Sequence, residues 1–258
     1  MAYAPQIVSS IGTLSLQDAY FSLIDDIDED DDSRISWEQV AQRHGGVLSE
    51  EIVRQVKTVK VYGRVKGSTT AELRTKRGLL QQHLNAGELK LSFNGGTRWL
   101  YCYKSRLTFG HKKGSALTIQ VFRLEFLALD PFWYEAQVTQ DQPVVSSGLT
   151  WTVSNAGDET VFPIVTLIAN AGTISSGARV LNLTSGDDWT FNASVASGTN
   201  LVVDGGEFTV QNNGVNAMSS WTGVMLPLLS GSNTFEFLGS NCTVRVQYYP
   251  RYNDPSYT

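Results

Sequence analysis

The stretch Val121-Phe-Arg-Leu-Glu-Phe-Leu-Ala-Leu-Asp-Pro-Phe-Trp-Tyr134 decides the fold class. Through the centre of Thr118–Leu127 apolar and polar side chains alternate, the period of a strand with one face buried. Pro131 has no N–H to give a sheet ladder, so the strand ends there, and Asp130 is suited to bond the turn that follows. Phe132, Trp133 and Tyr134 then supply a large aromatic contact area. Further strands are expected at 56–65, 88–93, 97–108 and 116–128. One helix interrupts them. Thr69-Thr-Ala-Glu72 is a capping box, Leu73, Leu80 and Leu84 with Leu79 form an apolar stripe, and Gly87 suits a left-handed cap.

Past this stretch the helical period disappears. Short strands are expected at 149–153, 161–168, 179–183, 188–192, 200–203, 207–211, 233–238 and 243–249. Turn clusters such as Asn-Ala-Gly-Asp, Ser-Gly-Asp-Asp and Asp-Gly-Gly separate them. Eight strands so spaced predict an antiparallel sandwich or jelly roll. The polar segment Glu135-Ala-Gln-Val-Thr-Gln-Asp-Gln-Pro143 is read as the joint between two domains, 1–136 and 137–258.

Charge usage divides at the same place. The 258 residues carry a net charge of −5, but residues 1–136 hold 17 Lys and Arg against 16 acids, and 137–258 hold 3 against 9. Eight of the first sixteen acids precede residue 33, which leaves 33–136 at +9. A pI near 5.2 argues against a dedicated nucleic-acid binder. No apolar run approaches the roughly 18 residues of a membrane helix, so no membrane insertion is expected. Met1-Ala-Tyr-Ala-Pro-Gln lacks the basic and apolar segments of a signal peptide, so none is expected either. Cys102 and Cys242 read as two buried thiols of a protein folded in a reducing compartment.

Catalytic signatures are absent. His44, His83 and His111 lack metal spacing, and no Gly-x-Ser-x-Gly elbow or phosphate loop occurs. No enzyme activity, catalytic residue, cofactor or metal site is expected. His83, on the helix, is expected at the surface. The run from Asp28 to Gln39 places Asp at positions one, three and five of a calcium-type loop. Ser33 stands where Gly makes the sharp turn, however, and Gln39 where a bidentate Glu closes the shell. A solvated acidic loop over 25–32 is the competing reading. Six tryptophans leave a second functional class open, a carbohydrate-binding sandwich with Trp189 and Trp221 as the platform.

Taken in order, these pieces resemble the distal tail protein family (Dit) of long, non-contractile-tailed bacteriophages. Lys57-Thr-Val-Lys-Val-Tyr-Gly63, the helix from Thr70 to Leu80 with Leu84, Gly87-Glu-Leu-Lys-Leu91 and the Asp130-Pro131-Phe132-Trp133-Tyr134 signature resemble its N-terminal domain. In the second half Asn155-Ala-Gly-Asp-Glu-Thr-Val-Phe-Pro163, Val180-Leu-Asn-Leu-Thr-Ser-Gly186, Leu226-Pro-Leu-Leu-Ser-Gly-Ser-Asn-Thr-Phe235 and Val244-Arg-Val-Gln-Tyr-Tyr-Pro-Arg251 resemble its galectin-like sandwich. The resemblance covers about residues 50–251. Residues 1–49 are atypical for the family, and Ser230-Gly231 stands where Pro-Gly is usual.

The resemblance implies a mainly β chain: an N-terminal β-sandwich with one α-helix, followed by a C-terminal antiparallel galectin-like β-sandwich. It implies a structural protein of the virion, made in the host cytoplasm. Six copies would form a ring at the tail tip, built by 50–136, with 137–251 projecting from it. The ring would join the tail tube protein to the tail-tip or tail-associated protein. It would carry host-adhesion proteins, a receptor-binding protein among them, and leave a channel through which DNA passes without specific binding. The acidic segment and the +9 stretch would supply complementary faces for such a closed assembly.

Overall fold

The structure is a computed structural model of the 258-residue chain. It describes residues 5–23, 28–34, 37–39, 46–48, 53–93, 97–110, 118–170, 172–239 and 242–255, with backbone only between 28 and 55. Two compact units emerge, Met1–Trp133 with Asp254–Thr258, and Tyr134–Asn253.

The first unit runs Pro5–Ser9 (β1), Gly12–Ser15 (β2), Phe21–Leu23 (β3), Asp28–Arg34 (β4), Trp37–Gln39 (β5), Gly46–Leu48 (β6) and Val53–Lys66 (β7). Thr70–Leu84 (α1), Leu89–Phe93 (β8), Leu100–Gly110 (β9) and Ile119–Ala128 (β10) follow. Its eight-stranded sheet has the order β2-β1-β8-β9-β10-β7-β3, with β4 also on β7. Strand β9 makes the two halves continuous: Leu100 and Cys102 pair with β8, while Tyr103 to Gly110 pair with β10. The alternation read from Thr118 onward is realised in β10, whose Phe122, Leu124, Phe126 and Ala128 are buried.

Helix α1 packs on β7, β1 and β2. The Thr69 hydroxyl accepts the Glu72 amide at 3.1 Å, as the capping box requires. The return bond falls one residue earlier than the motif predicts, because the Glu72 carboxylate takes the amide of Ser68, at 2.7 Å, and not that of Thr69. Leu73, Leu80 and Leu84 are buried, and Gly87 follows the helix at φ +95°.

After Trp133–Tyr134 (β11), the second unit runs Val138–Val144 (β12), Leu149–Asn155 (β13), Ile164–Ile168 (β14), Ala178–Asn182 (β15), Asp187–Phe191 (β16), Asn200–Asp204 (β17) and Thr209–Asn212 (β18). Val215–Asn216 (β19), Trp221–Gly223 (β20), Gly231–Leu238 (β21), Cys242–Tyr248 (β22) and Arg251–Tyr252 (β23) complete it. One sheet has the order β12-β22-β14-β17-β18-β19 and the other β13-β21-β15-β16-β20, with antiparallel pairings. Between them lies a core that includes Trp151, Trp189, Phe191, Phe235, Phe237, Leu167, Leu201 and Val246. This is the antiparallel sandwich that the strand spacing predicts.

One stretch departs from the sequence reading. Residues 138–144, read as part of a polar joint, form strand β12, in register with β22 from Val138↔Tyr248 to Val144↔Cys242. A strand at the sheet edge needs one buried face at most, so its polar residues mask it, and Pro143 is tolerated because one side has no ladder to complete.

Candidate functional site

The signature Asp130–Tyr134 organises its own surroundings. Asp130 Oδ1 accepts the Phe132 amide at 3.3 Å, closing the turn that Pro131 begins. Trp133 has no exposed surface and packs on Phe93 with ring centroids 5.2 Å apart. Tyr134 stands in the second unit with the Arg251 guanidinium 5.5 Å from its ring centre.

Three of the stretches that carry the resemblance in the second half converge physically. Each contributes one buried asparagine: Asn155, Asn182 and Asn233. The Asn155 amide donates to the carbonyls of Glu159 and Leu228, at 2.9 and 3.2 Å. The Asn182 amide donates to Pro227 O at 2.7 Å and to Asn233 Oδ1 at 3.2 Å. Asn233 takes the Leu229 amide and returns a bond to the Leu229 carbonyl, at 3.0 and 2.8 Å. Residues 227–229 therefore hang on three side chains, two of them, Asn155 and Asn182, from distant parts of the chain. Gly157, in the first of these stretches, admits no side chain, since a Cβ there would lie 2.5 Å from the Arg251 carbonyl oxygen.

Several sequence expectations are corrected. His83 is buried, with Nδ1 3.0 Å from the Ser9 hydroxyl; the helix face that carries Leu80 and Leu84 turns this ring toward β1 as well. Trp189 is fully buried in the sandwich core, so it offers no platform to a sugar, and Trp221 is half-buried. Asp28–Arg34 is a strand and not a calcium-type loop, with Asp28 opposite Lys60 and Asp31 opposite Lys57 in the ladder with β7. Two positions of the acidic run thus stand in register with lysine positions of its own chain. Residues 25–27 of the acidic segment, and His44 and His111, lie outside the described residues.

Among the described residues several charged side chains pair locally. Arg245 grips Asp141 with two bonds of 2.7 and 2.8 Å across β12 and β22, and Arg179 meets Asp188 at 2.7 Å. Hydrogen bonding to the partner arginine holds both carboxyl groups below the usual aspartate range. In the first unit Lys76 sits over Tyr20 at 3.5 Å and Arg77 over Phe109 at 4.4 Å. Burial pushes the Cys102 and Cys242 thiols up to about 12, so neither is a nucleophile at neutral pH. Among the described residues no His, Cys, Asp and Glu group is placed to hold a metal, and no helix is long and apolar enough to cross a membrane.

The second unit also holds a cavity of about 420 Å³, lined by Phe162, Asp204, Glu207, Phe208, Gln247 and Tyr249 among others. No sequence pattern announces it. Its residues come from four separate stretches, 134–137, 161–164, 204–208 and 247–251, and the strand expected at 207–211 starts only at Thr209, which frees Glu207 and Phe208 for a turn.

Comparison with known proteins adds the decisive observation on the second unit: residues 156–252 match the family model "Siphovirus-type tail component, C-terminal domain". The distal tail resemblance is borne out. The crystal structure of phage SPP1 Dit, described as a paradigm of the hub adsorption apparatus in phages that infect Gram-positive bacteria, superposes with a TM-score of 0.74. Identity is 16%, over 97% of this chain and 99% of that one, so the distal tail fold extends through both units. Two structures of the phage p2 baseplate in its activated conformation, with strontium and with calcium, give TM-scores of 0.49 and 0.48 at 9% identity, over 96% of this chain and 98% of theirs. A comparison with curated proteins gives no match. The chain is a structural component of a bacteriophage tail or baseplate.

Proposed function

We propose that six copies of this chain close into a ring at the tail tip, as a non-catalytic adaptor. Residues 50–136 build the ring, and 137–251 project from it toward the host-adhesion apparatus. The ring links the tail tube protein to the tail-tip or tail-associated protein and leaves a lumen for DNA during ejection. A receptor-binding protein is among the neighbours expected on the second unit. The observation that carries this reading is the sharing of one fold along 97% of the chain with a hub protein, together with the tail-component match of residues 156–252.

Gold-labelled antibody against the chain, applied to intact virions, tests the placement. Label confined to the tip, at the end of the tube, is expected. Label spaced along the tube or on the head would overturn the proposal.

A further inference from the structure

Three aromatic rings in the second unit are left in solvent although the fold has a core to receive them. Phe162 is 46% exposed, Phe208 63% and Tyr249 45%, and all three line the 420 Å³ cavity. Phe162 and Phe208 face each other with centroids 6.4 Å apart and planes at 40°. They come from different places: the segment before β14, the turn between β17 and β18, and the end of β22.

The turn that presents Phe208 is held by several bonds at once. Phe208 has φ +54°, a conformation that a bulky L-residue adopts only at a cost, and its ring recovers little by burial. Asp204 Oδ1 accepts the amides of Gly206 and Glu207 at 3.0 Å each, and the Gly205 amide donates to Pro163 O at 3.1 Å. A Cβ on Gly205 would stand 2.9 Å from Phe162 Cβ, so glycine is needed for the turn to press against that residue. Gln247 Nε2 reaches Thr139 Oγ1 at 3.3 Å and Gln137 Oε1 at 3.4 Å, which orients its amide. The strain is confined to a preformed, exposed turn beside a cavity, where it contributes nothing to the core.

We propose that this cavity is a saccharide-binding site. A sugar ring has an apolar C–H face and a rim of hydroxyl groups that both donate and accept. Phe162, Phe208 and Tyr249 offer faces for the first, and Asp204, Glu207 and Gln247 offer acceptors and a donor for the second. The cavity volume falls in the range of about 300–1,000 Å³ usual for small-ligand sites and suits a short saccharide. An apolar peptide would strip water from two carboxylates without pairing them. A nucleic acid would meet those carboxylates with Arg251 as the one cation of the lining. The site uses neither Trp189 nor Trp221, and it does not depend on ring formation.

Fluorescently labelled full-length protein on an array of simple and bacterial oligosaccharides tests this, followed by titration of the bound glycan in solution. Binding is expected, weakened roughly tenfold or more by Phe208→Ala and abolished by Phe162→Ala with Phe208→Ala, with Glu207→Gln intermediate. Leu183→Ser, exposed but outside the cavity lining, should leave it unchanged. Because both phenylalanine rings are exposed, the variants should melt like the wild type. A silent array, or undiminished binding by the double variant, would overturn the proposal. Loss of another tail protein's binding in the double variant, with the array silent, would also overturn it and assign the cluster to protein docking.

Discussion

Trp133 owes its place to the two residues that stop strand β10: Asp130 and Pro131 set the turn that aims the indole into the first unit against Phe93. Truncation to alanine in a fully buried site should destabilise the protein by about 3–5 kcal/mol, measured as a lower denaturant midpoint with the slope unchanged. The thiols give a second prediction. Burial raises both Cys102 and Cys242 from 9.0 to about 12. Folding therefore favours the neutral thiol, so this contribution to stability is complete below pH 9 and is lost as pH rises from there through 12. Native protein should resist a thiol reagent at neutral pH, and Cys102→Ala with Cys242→Ala should flatten the alkaline fall in stability; rapid native labelling would contradict the burial. Residue types alone do not give the surroundings of His83. Its place one position before Leu84 puts it at the border of the apolar stripe, and the packing of β1 on α1 decides which side it takes.

Elements with a regular period are legible in the sequence, and those at edges are not. Strand β10 and helix α1 declare themselves because one face of each is buried throughout. Strand β12 hides because its outward residues are polar, as an edge requires. The cap at Thr69 should be worth roughly 1 kcal/mol, so Thr69→Ala is expected to lower stability by that amount while Thr69→Ser changes it little. A larger effect belongs to the segment 227–229. No regular strand or helix holds it, yet Asn155, Asn182 and Asn233 bond its backbone. Asn233→Leu leaves the Leu229 amide and carbonyl and the Asn182 amide short of partners, and should cost about 2–5 kcal/mol, read by chemical denaturation. A cost below about 1 kcal/mol, no more than one ordinary hydrogen bond, would mean that the segment is held by other contacts. The motifs around these asparagines are visible in sequence; that they meet on one segment depends on β13 and β15 flanking β21 in one sheet, which no local pattern encodes.

At the scale of the whole molecule, period and turn spacing disclose the class of each half, and the resemblance supplies their order. The cavity at Phe162 and Phe208 is invisible at that level because its rings lie far apart in sequence and none belongs to a repeating pattern. The uneven charge holds as arithmetic, and the backbone of Asp28–Arg34 pairs with β7 of its own chain. The most direct measurement is the solution mass of the purified chain by light scattering after size exclusion, alone and mixed with its tail tube protein. Six subunits of 28.3 kDa predict a species of about 170 kDa. A monodisperse 28.3 kDa monomer under every condition, with the tube protein present, would contradict the ring.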